Sequence, residues 1–240
     1  MRVPRIYLDQ PLTSGHDVLL DPRSAHYLAN VLRMKSGMTI IAFDGSGLEY
    51  SCTLAELGKK SGRVSVGAGQ DPGTESRLVS VLGIGMSRGE RMDYVVQKAT
   101  ELGVSVIQPL MMENCEVRLD QSRSEKRLDH WCQVCISACE QSGRVKIPEI
   151  LPPVNIAEWL ESVNCDRRYM LDREQPGISG ADTVPASIAL LIGPEGGLSE
   201  NEKALAIGKG FSGLNLGSRT LRTETAPVAA LSLFQFLWGS

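Results

Sequence analysis

The segment at residues 189–202 constrains the possible folds of this chain more than any other stretch. An apolar run that ends at Ile192 enters a loop with three glycines and one proline. Ser199 and Glu202 follow at the spacing of a capping box, which marks the first turn of a helix. The segment therefore predicts a buried strand, a glycine-rich loop and a helix, as in α/β sheets. Such a loop leaves backbone amides free for a ligand, although an ordinary tight turn between strand and helix is the simpler alternative.

A second segment, residues 214–227, has the same order of strand, loop and helix start. Thr223 is predicted to cap the helix, and Glu224 suits the positive end of the helix dipole. Pro227 is tolerated because it lies near the first turn, where its missing N–H is not needed. Two readings of Glu224 stay open, a chemical role and simple compensation of the helix dipole.

The first 70 residues have a different pattern, in which short β-like runs are separated by turn signals. The loop at residues 44–47 holds two glycines, which accept positive φ, so it predicts a hairpin. The predicted elements are strands at residues 38–43, 48–54 and 64–66 and a short helix capped by Ser24. Together they predict a small β-barrel.

After a polar, turn-rich connection at residues 70–76, strands alternate with amphipathic helices. This alternation predicts a mainly parallel sheet covered on both faces. The predicted strands lie at residues 78–86, 104–110, 168–171 and 188–192, and the predicted helices lie at 92–102 (ended by Gly103), at 122–141 and around Trp159. The sequence thus predicts an α/β protein with one domain at residues 1–71 and another at residues 72–240.

Composition narrows the class of protein. The chain has 240 residues, of which 42% are hydrophobic and 22% charged, as in soluble globular proteins. It has no apolar run near the ~18 residues of a membrane span and no apolar leader at its start. Its six cysteines are irregularly spaced, which favours free thiols in a reducing compartment and predicts a cytoplasmic protein.

The formal net charge of −3 does not by itself indicate a nucleic-acid partner, but the charge is unevenly distributed. Residues 1–70 hold eight Lys and Arg against six Asp and Glu, whereas the remainder holds 17 against 22. The N-terminal part is therefore the more favourable contact for a polyanion.

Three other kinds of site fit the sequence poorly. Residues 83–88 partly mimic a dinucleotide-binding fingerprint, but Arg88 occupies the last position, where close helix–strand packing needs a small residue. No Gly-Lys-Ser/Thr sequence closes a phosphate loop. Three helical cysteines, Cys132, Cys135 and Cys139, lack a second pair of ligands, so core packing explains them better than zinc.

The two strand–loop–helix segments together resemble the cofactor loops of the SPOUT methyltransferases, and specifically those of the ribosomal RNA small subunit methyltransferase E family. The motifs that carry the resemblance are Gly193-Pro194-Glu195-Gly196-Gly197 and Leu221-Arg222-Thr223-Glu224-Thr225-Ala226. The resemblance extends to residues 4–7, 31–34, 86–92, 97–104 and 139–144, in both halves of the chain. The sequence departs from the family pattern at Ser218, where proline is common, and at Pro227, which is unusual in the last helix.

The resemblance implies a fold, a reaction and partners. The implied fold is an N-terminal PUA-like RNA-binding β-barrel followed by a SPOUT-type parallel sheet tied into a deep trefoil knot, in a homodimer. The implied reaction transfers a methyl group from S-adenosylmethionine to N3 of a uridine in small-subunit (16S) ribosomal RNA, either free or in the assembled 30S particle, with no metal. Two alternatives remain open: a noncatalytic RNA-binding or ribosome-assembly factor with the same fold, and a SPOUT methyltransferase that acts on transfer RNA.

The same resemblance implies roles for individual residues. The residues expected to contact S-adenosylmethionine, mainly through backbone groups, are Ile192, Gly193, Gly196, Leu216, Gly217, Ser218 and Leu221. Arg222 is expected to stabilise the uridine anion, and Glu224 to orient Arg222 or accept the proton. The candidate RNA contacts are Arg2, Arg5, Arg33, Arg88 and Arg144, because guanidinium groups suit phosphate oxygens.

Overall fold

A computed structural model of the chain describes residues 3–58, 60–117, 121–174 and 183–239. Its internal contacts divide the chain into two compact units. Unit 1 comprises Met1–Glu75 and Cys139–Ile147, and unit 2 comprises Ser76–Ala138 and Pro148–Ser240.

The described strands of unit 1 are β1 (Arg5–Tyr7), β2 (Asp17–Leu20), β3 (Thr39–Phe43), β4 (Glu49–Leu57) and β5 (Gly62–Gln70). They form one sheet in the order β1-β3-β4-β5-β2, in which only the β1–β3 pair is parallel. Alternate side chains along much of β4 and β5 are buried and belong to a single hydrophobic core. The predicted hairpin between β3 and β4 is confirmed, whereas β5 is much longer than predicted.

A short helix, α1 (Pro22–His26), precedes β3 and continues into one π-helical turn at Tyr27–Val31. The Asp21 side chain caps α1 by accepting hydrogen bonds from two backbone amides, including that of Ser24 at 3.0 Å. The prediction that Ser24 is the cap is therefore wrong. Pro22 takes a position in the first turn and places the helix start upstream, so the Ser24 hydroxyl lies inside the helix and donates back to Asp21.

The remaining strands form a second sheet, in unit 2. They are β6 (Val79–Gly85), β7 (Val106–Met111), β8 (Glu149–Ile150), β9 (Val154–Asn155), β10 (Arg167–Leu171), β11 (Ser187–Ile192) and β12 (Ser212–Leu214). The helices that alternate with them along the chain are α2 (Glu90–Glu101), α3 (Gln121–Ser142), α4 (Ile156–Ser162), α5 (Glu200–Gly208) and α6 (Thr225–Trp238).

The described strands of the second sheet all pair in parallel, in the order β12-β10-β11-β6-β7-β8, with β9 also beside β7. β11 lies in the interior of the sheet, and five of its six residues are buried. Both faces of this strand are therefore covered, as expected for a parallel sheet. The predicted α/β class and the strands predicted at residues 78–86, 104–110, 168–171 and 188–192 are confirmed, whereas the two-residue strands β8 and β9 are not predicted.

The starts of α5 and α6 rest on different local signals. Ser199 caps α5, and Glu202 completes the capping box by accepting a hydrogen bond from the Ser199 amide at 2.8 Å, so this prediction is confirmed. The N-cap of α6 is Glu224, so the predicted cap Thr223 is wrong, because Thr223 lies before the helix and is buried. Pro227 lies in the first turn of α6, where the sequence predicts that it is tolerated.

Gly83 and Gly85, which give residues 83–88 their likeness to a nucleotide fingerprint, have a packing explanation. A Cβ at Gly83 would lie 2.4 Å from the ring of Trp159, and one at Gly85 would lie 2.5 Å from the nitrogen of Pro194. Only glycine leaves room for these neighbours, so close packing around β6 accounts for both residues.

None of the described helices combines the length and apolar character needed to cross a membrane. Within the described part of the chain, no group of three or more His, Cys, Asp or Glu side chains is arranged to hold a metal ion. The trefoil knot that the resemblance implies stays a prediction.

Candidate functional site

β10, β11 and β12 lie side by side and run in parallel, so their carboxyl ends meet at one edge of the sheet. Ligands of α/β proteins bind outside this edge. The segments that follow the three strands enclose a cavity of about 320 Å³. Its lining is drawn from within residues 171–173, 192–198 and 214–221, together with Lys203, Thr223 and Ala226.

The loop after β11 forms one wall of the cavity and is folded tightly on itself. The Gly197 amide donates a hydrogen bond to the Pro194 carbonyl oxygen at 2.9 Å, and Gly197 has a φ of +72°. A Cβ at Gly193 would lie 2.8 Å from the backbone of both Gly197 and Leu198. Packing therefore excludes a side chain at Gly193, and the backbone conformation favours glycine at Gly197.

The loop after β12 forms a second wall, and Asn215 fixes its shape. The Asn215 Oδ1 accepts a hydrogen bond from the Gly217 amide at 2.7 Å, and its Nδ2 donates to the carbonyl oxygen of Arg173 at 2.8 Å. Gly217 has a φ of +106°, which glycine adopts without strain. One side chain thus shapes its own loop and ties it to the segment after β10.

The segment after β10 is joined to the same loop by two more hydrogen bonds. The Asp172 amide donates to the carbonyl oxygen of Leu214 at 3.1 Å, and Arg173 Nη1 donates to Thr220 Oγ1 at 2.7 Å. These contacts hold the two segments together by protein groups alone, so this part of the cavity wall is organised before any ligand binds.

Charged side chains of both signs line the cavity: the acidic ones are Asp172 and Glu195, and the basic ones are Arg173, Lys203 and Arg219. Burial raises the pKa of Glu195, but hydrogen bonds from backbone amides and from Arg91 outweigh it and bring this pKa below its usual value. The Glu200 carboxylate, 2.9 Å from Lys203 Nζ, is the main cause that raises the pKa of Lys203. Both Glu195 and Lys203 are therefore charged at neutral pH.

Most of the predicted cofactor contacts lie in this cavity: Ile192, Gly193, Leu216, Gly217 and Leu221 line it. Gly196 and Ser218 belong to the same two loops but are not among the lining residues. The structure therefore brings together two segments, residues 192–198 and 214–221, that are separated by fifteen residues in the sequence.

No role was predicted for the five charged residues that line the cavity, and three of them, Asp172, Arg173 and Lys203, also lie outside the two segments that carry the family motifs. Asp172 and Arg173 directly follow β10, which is a predicted strand. Because the carboxyl ends of parallel strands share one edge, that position is a signal that points to both residues. Lys203 directly follows Glu202 of the capping box, and no feature of the sequence around it indicates that it faces a cavity.

Arg222 and Glu224 lie just beyond the lining residue Leu221, and neither lines the cavity itself. The Arg222 side chain is 80% exposed, and its Nη1 lies 3.9 Å from Glu224 Oε1; the Glu224 side chain is 20% exposed. The Arg222 carbonyl oxygen accepts a hydrogen bond from the Thr225 amide at 2.9 Å, which fixes the backbone before α6. The guanidinium itself is free to extend into solvent.

The arginines predicted to contact RNA have different surroundings. Arg33 is exposed and is the single non-glycine residue with positive φ in the described part of the chain, at +53°. Arg88 is exposed and pairs with Glu116 at 2.9 Å. Arg5 and Arg144 are instead largely buried in ion pairs with Glu49 and Glu75, respectively. Arg2 lies outside the described residues.

The chemistry that this arrangement permits follows from its lining. Leu198, Leu216 and Leu221 supply apolar surface, while the charged side chains and the backbone groups of glycine-bearing loops supply polar contacts. The volume of about 320 Å³ lies within the range of roughly 300–1,000 Å³ that is usual for small-molecule sites. The cavity thus suits a small ligand with an apolar ring system and charged groups.

Comparison with known families assigns both parts of the sequence. Residues 74–235 match the family described as RNA methyltransferase domain, and residues 20–66 match the family described as RNA methyltransferase PUA domain. The first match covers more than half of the chain and includes both loops of the cavity.

Similar proteins extend this assignment over the whole chain. Two proteins named ribosomal RNA small subunit methyltransferase E, from Buchnera aphidicola of Acyrthosiphon pisum and of Schizaphis graminum, are 31% and 34% identical to it. Each alignment covers 99% of this chain, and 95% and 98% of the relatives.

Two solved structures agree in fold as well as in sequence. A methyltransferase of Legionella pneumophila in complex with the bound cofactor SAM is 36% identical, with a TM-score of 0.96 and full coverage of both chains. The ribosomal RNA small subunit methyltransferase E of Neisseria gonorrhoeae, bound to S-adenosyl methionine, is also 36% identical, with a TM-score of 0.93 over 99% of each chain. With a whole-length match in sequence and in fold, this chain belongs to the ribosomal RNA small subunit methyltransferase E family.

Proposed function

We propose that this protein transfers a methyl group from S-adenosylmethionine to N3 of a uridine in small-subunit (16S) ribosomal RNA. The observation that carries the proposal is the cavity at the carboxyl ends of β10, β11 and β12, because its walls are the two loops that contain the family motifs. The names of the relatives specify small-subunit ribosomal RNA, and two similar proteins were solved with S-adenosylmethionine bound. These findings support both the methyl donor and the class of acceptor.

The residues of the cavity fit S-adenosylmethionine. Leu198, Leu216 and Leu221 offer an apolar surface for the adenine ring, and Asp172 and Glu195 offer carboxylates for a cationic group. A Cβ at Gly193 would meet the backbone of its own loop, so the wall at this point consists of main chain. We therefore expect contacts through backbone groups, as the resemblance implies.

S-adenosylmethionine, when bound, supplies a methyl group on a sulfonium centre that a nitrogen can attack in line. N3 of uridine normally takes part in base pairing, so the target nucleotide has to be unpaired or flipped out. The main contribution of the protein is to hold the acceptor nitrogen in line with the donor, because correct orientation alone lowers the barrier substantially.

We expect Arg222 to face the uridine. It follows Leu221, which lines the cavity, and its exposed guanidinium is available to an incoming nucleotide. The N3 imide loses its proton near the transfer step, and a cation beside the base stabilises the resulting negative charge. The Glu224 carboxylate, 3.9 Å from Arg222 Nη1, either orients the guanidinium or accepts the proton.

The domain at residues 1–71 is proposed to bind RNA, and the domain at residues 72–240 is proposed to catalyse methyl transfer. The exposed side chains of Arg33 and Arg88 are suited to phosphate contacts. Arg5 and Arg144 already form ion pairs with carboxylates, so we expect them mainly to stabilise the fold of unit 1. The proposed contact of Arg2 rests on the resemblance alone.

We also propose that the protein is a homodimer and acts in the cytoplasm on small-subunit RNA or on the 30S particle. α6 presents Phe236, which is 84% exposed, next to the exposed Leu237. Contiguous exposed apolar surface marks interaction sites, so we expect Phe236 to lie in the dimer interface. Because α6 also contributes Ala226 to the cavity, a partner that covers this helix would adjoin the site.

Transfer of labelled methyl groups to purified 30S particles from a strain that lacks this enzyme tests the proposed function. We expect label in 16S RNA, at N3 of a single uridine when the RNA is mapped by mass spectrometry. Label in transfer RNA alone would indicate the transfer-RNA alternative. Absence of S-adenosylmethionine binding at millimolar concentration would instead favour a noncatalytic RNA-binding or assembly factor.

A further inference from the structure

The glycine-rich loop after β11 is held from outside the cavity by Asn114. The side-chain Nδ2 of Asn114 lies 3.1 Å from the carbonyl oxygen of Gly197 and 3.3 Å from that of Gly196, and donates to both. Asn114 comes from the segment after β7, about eighty residues earlier in the chain, and does not line the cavity. A remote side chain thus restrains the loop that forms one cavity wall.

The segment that carries Asn114 is itself fixed. The carboxylate of Glu202, a buried residue, accepts a hydrogen bond from the Glu113 amide at 2.8 Å through one oxygen. Its other oxygen accepts from the Ser199 amide, also at 2.8 Å. Glu202 therefore ties the residue before Asn114 to the start of α5, immediately after the glycine-rich loop. The Asn114 amide is consequently presented to the loop from an ordered backbone.

The glycine at position 196 is explained by the same contact. A Cβ at Gly196 would lie 2.8 Å from the Cβ of Asn114, closer than side-chain carbons approach each other. Gly196 does not line the cavity, so its lack of a side chain is accounted for by the approach of Asn114. This gives Gly196 a role on the outer side of the loop.

We propose that Asn114 is a positioning residue for the S-adenosylmethionine-binding loop, an inference that rests on the proposed function of this cavity. Its two hydrogen bonds fix the carbonyl groups of Gly196 and Gly197 before the ligand arrives. A loop that is already ordered loses less conformational entropy on binding, so the affinity for the ligand is higher. Asn114 contributes to affinity without contacting the ligand.

Substitution of Asn114 by Asp, Ala and Ser tests the proposal, with S-adenosylmethionine itself as the probe in titration calorimetry. Asn114→Asp places a carboxylate against two carbonyl oxygens, and Asn114→Ala removes the donor. We expect the dissociation constant to rise about tenfold in each, because the loop then has to be ordered when the ligand binds. Asn114→Ser retains one donor and should fall between Asn and Ala. In steady-state assays, KM for S-adenosylmethionine should rise while kcat at saturation changes less than threefold.

Asn201→Asp is the matched control for charge. Asn201 lies exposed in the first turn of α5, and the same change of amide to carboxylate there should leave the dissociation constant unchanged. Thermal melting curves of the Asn114 variants should stay close to that of the unsubstituted protein. An equal loss of affinity in Asn201→Asp, or a large fall in melting temperature in all three Asn114 variants, would overturn a positioning role.

The outcome also separates this inference from the proposed function. If the unsubstituted protein binds S-adenosylmethionine and the Asn114 variants bind it equally well, the inference about Asn114 alone is overturned. If the unsubstituted protein does not bind S-adenosylmethionine at all, the proposed function fails and this inference fails with it.

Discussion

The carboxylate of Glu75 lies 2.9 Å from Nη2 of Arg144, and both side chains are largely shielded from solvent. The same carboxylate accepts hydrogen bonds from the backbone amides of Val145 and Lys146, at 2.9 and 3.1 Å. One acidic side chain therefore binds three successive residues of unit 1.

Removal of the negative charge of Glu75 should make the stability of the protein less dependent on pH. Burial raises the pKa of Glu75, but the hydrogen bonds and charge of Arg144 and the two backbone amides lower it by more. A folded-state pKa below the unfolded value gives stability that is present above the unfolded pKa, near pH 4, and is lost as the pH falls through the folded pKa. We expect Glu75→Gln to lower the free energy of unfolding at pH 7 by about 2–3 kcal/mol. Urea denaturation from pH 7 to pH 3 should show the difference in free energy of unfolding between the two proteins shrinking. A constant difference would contradict a lowered pKa of Glu75 in the folded protein.

Gly193→Ala should weaken the binding of S-adenosylmethionine by at least about tenfold, because the new methyl group would displace the backbone of Gly197 and Leu198. Gly208→Ala is the matched control. Nothing lies within 4 Å of a Cβ at Gly208, the last residue of α5, so alanine there should leave affinity unchanged and stabilise the helix by about 0.5–1 kcal/mol. Titration calorimetry and thermal melting measure the two effects, and equal affinities for the two variants would count against the proposed cavity.

Arg222→Ala should preserve affinity for S-adenosylmethionine and reduce turnover about 100-fold or more, because the side chain is proposed to stabilise charge that develops only during transfer. Binding is measured by calorimetry and turnover by methyl incorporation into 30S particles. Arg222→Lys keeps the charge but loses the planar fork, so partial activity is expected. Turnover equal to that of the unsubstituted protein would remove Arg222 from the reaction.

Arg33→Gly separates a backbone role from a role in RNA binding. A non-glycine residue at φ +53° costs about 1 kcal/mol, so glycine should leave stability unchanged or slightly higher. If the guanidinium contacts a phosphate, the variant should bind 16S RNA more weakly and reduce the slope of log affinity against log salt by about one. Filter binding over a range of salt concentrations measures this slope, and an unaltered slope would exclude a phosphate contact.

Phe236→Asp should convert the proposed dimer into a monomer, because a carboxylate within an apolar interface is poorly solvated. Ile207→Asp serves as the control, because Ile207 is also exposed and apolar but lies on α5; this variant should leave the dimer intact. Sedimentation velocity gives the oligomeric state of each variant. A monomeric unsubstituted protein, or dissociation of both variants alike, would contradict an interface on α6.

Sequence patterns predict the elements of this protein well where the signal is local. The capping box of Ser199 and Glu202 is a contact within one helical turn, and it is present as predicted. The errors at Ser24 and Thr223 have different causes: Pro22 places the start of α1 upstream, at Asp21, whereas α6 begins at Glu224, whose side chain makes no capping hydrogen bond. Ser24 is displaced by Asp21, and Thr223 is buried at the cavity.

The site is predictable only in part. Its two loops are recognisable by their motifs, but the side chains that hold these loops in place by hydrogen bonds are not. Asn215 acts within its own loop, yet it also binds the segment after β10. Asn114 reaches the other loop from about eighty residues away, across a sheet in which β6 lies between β7 and β11. A single sequence contains no local pattern that relates such distant residues.

The cavity draws its walls from residues between Leu171 and Ala226. Because a protein is synthesised from its N-terminus, a growing chain cannot assemble this site before Ala226 has left the ribosomal exit tunnel. The strands of unit 1, which end at Gln70, are thus synthesised well before the chain is able to bind its methyl donor.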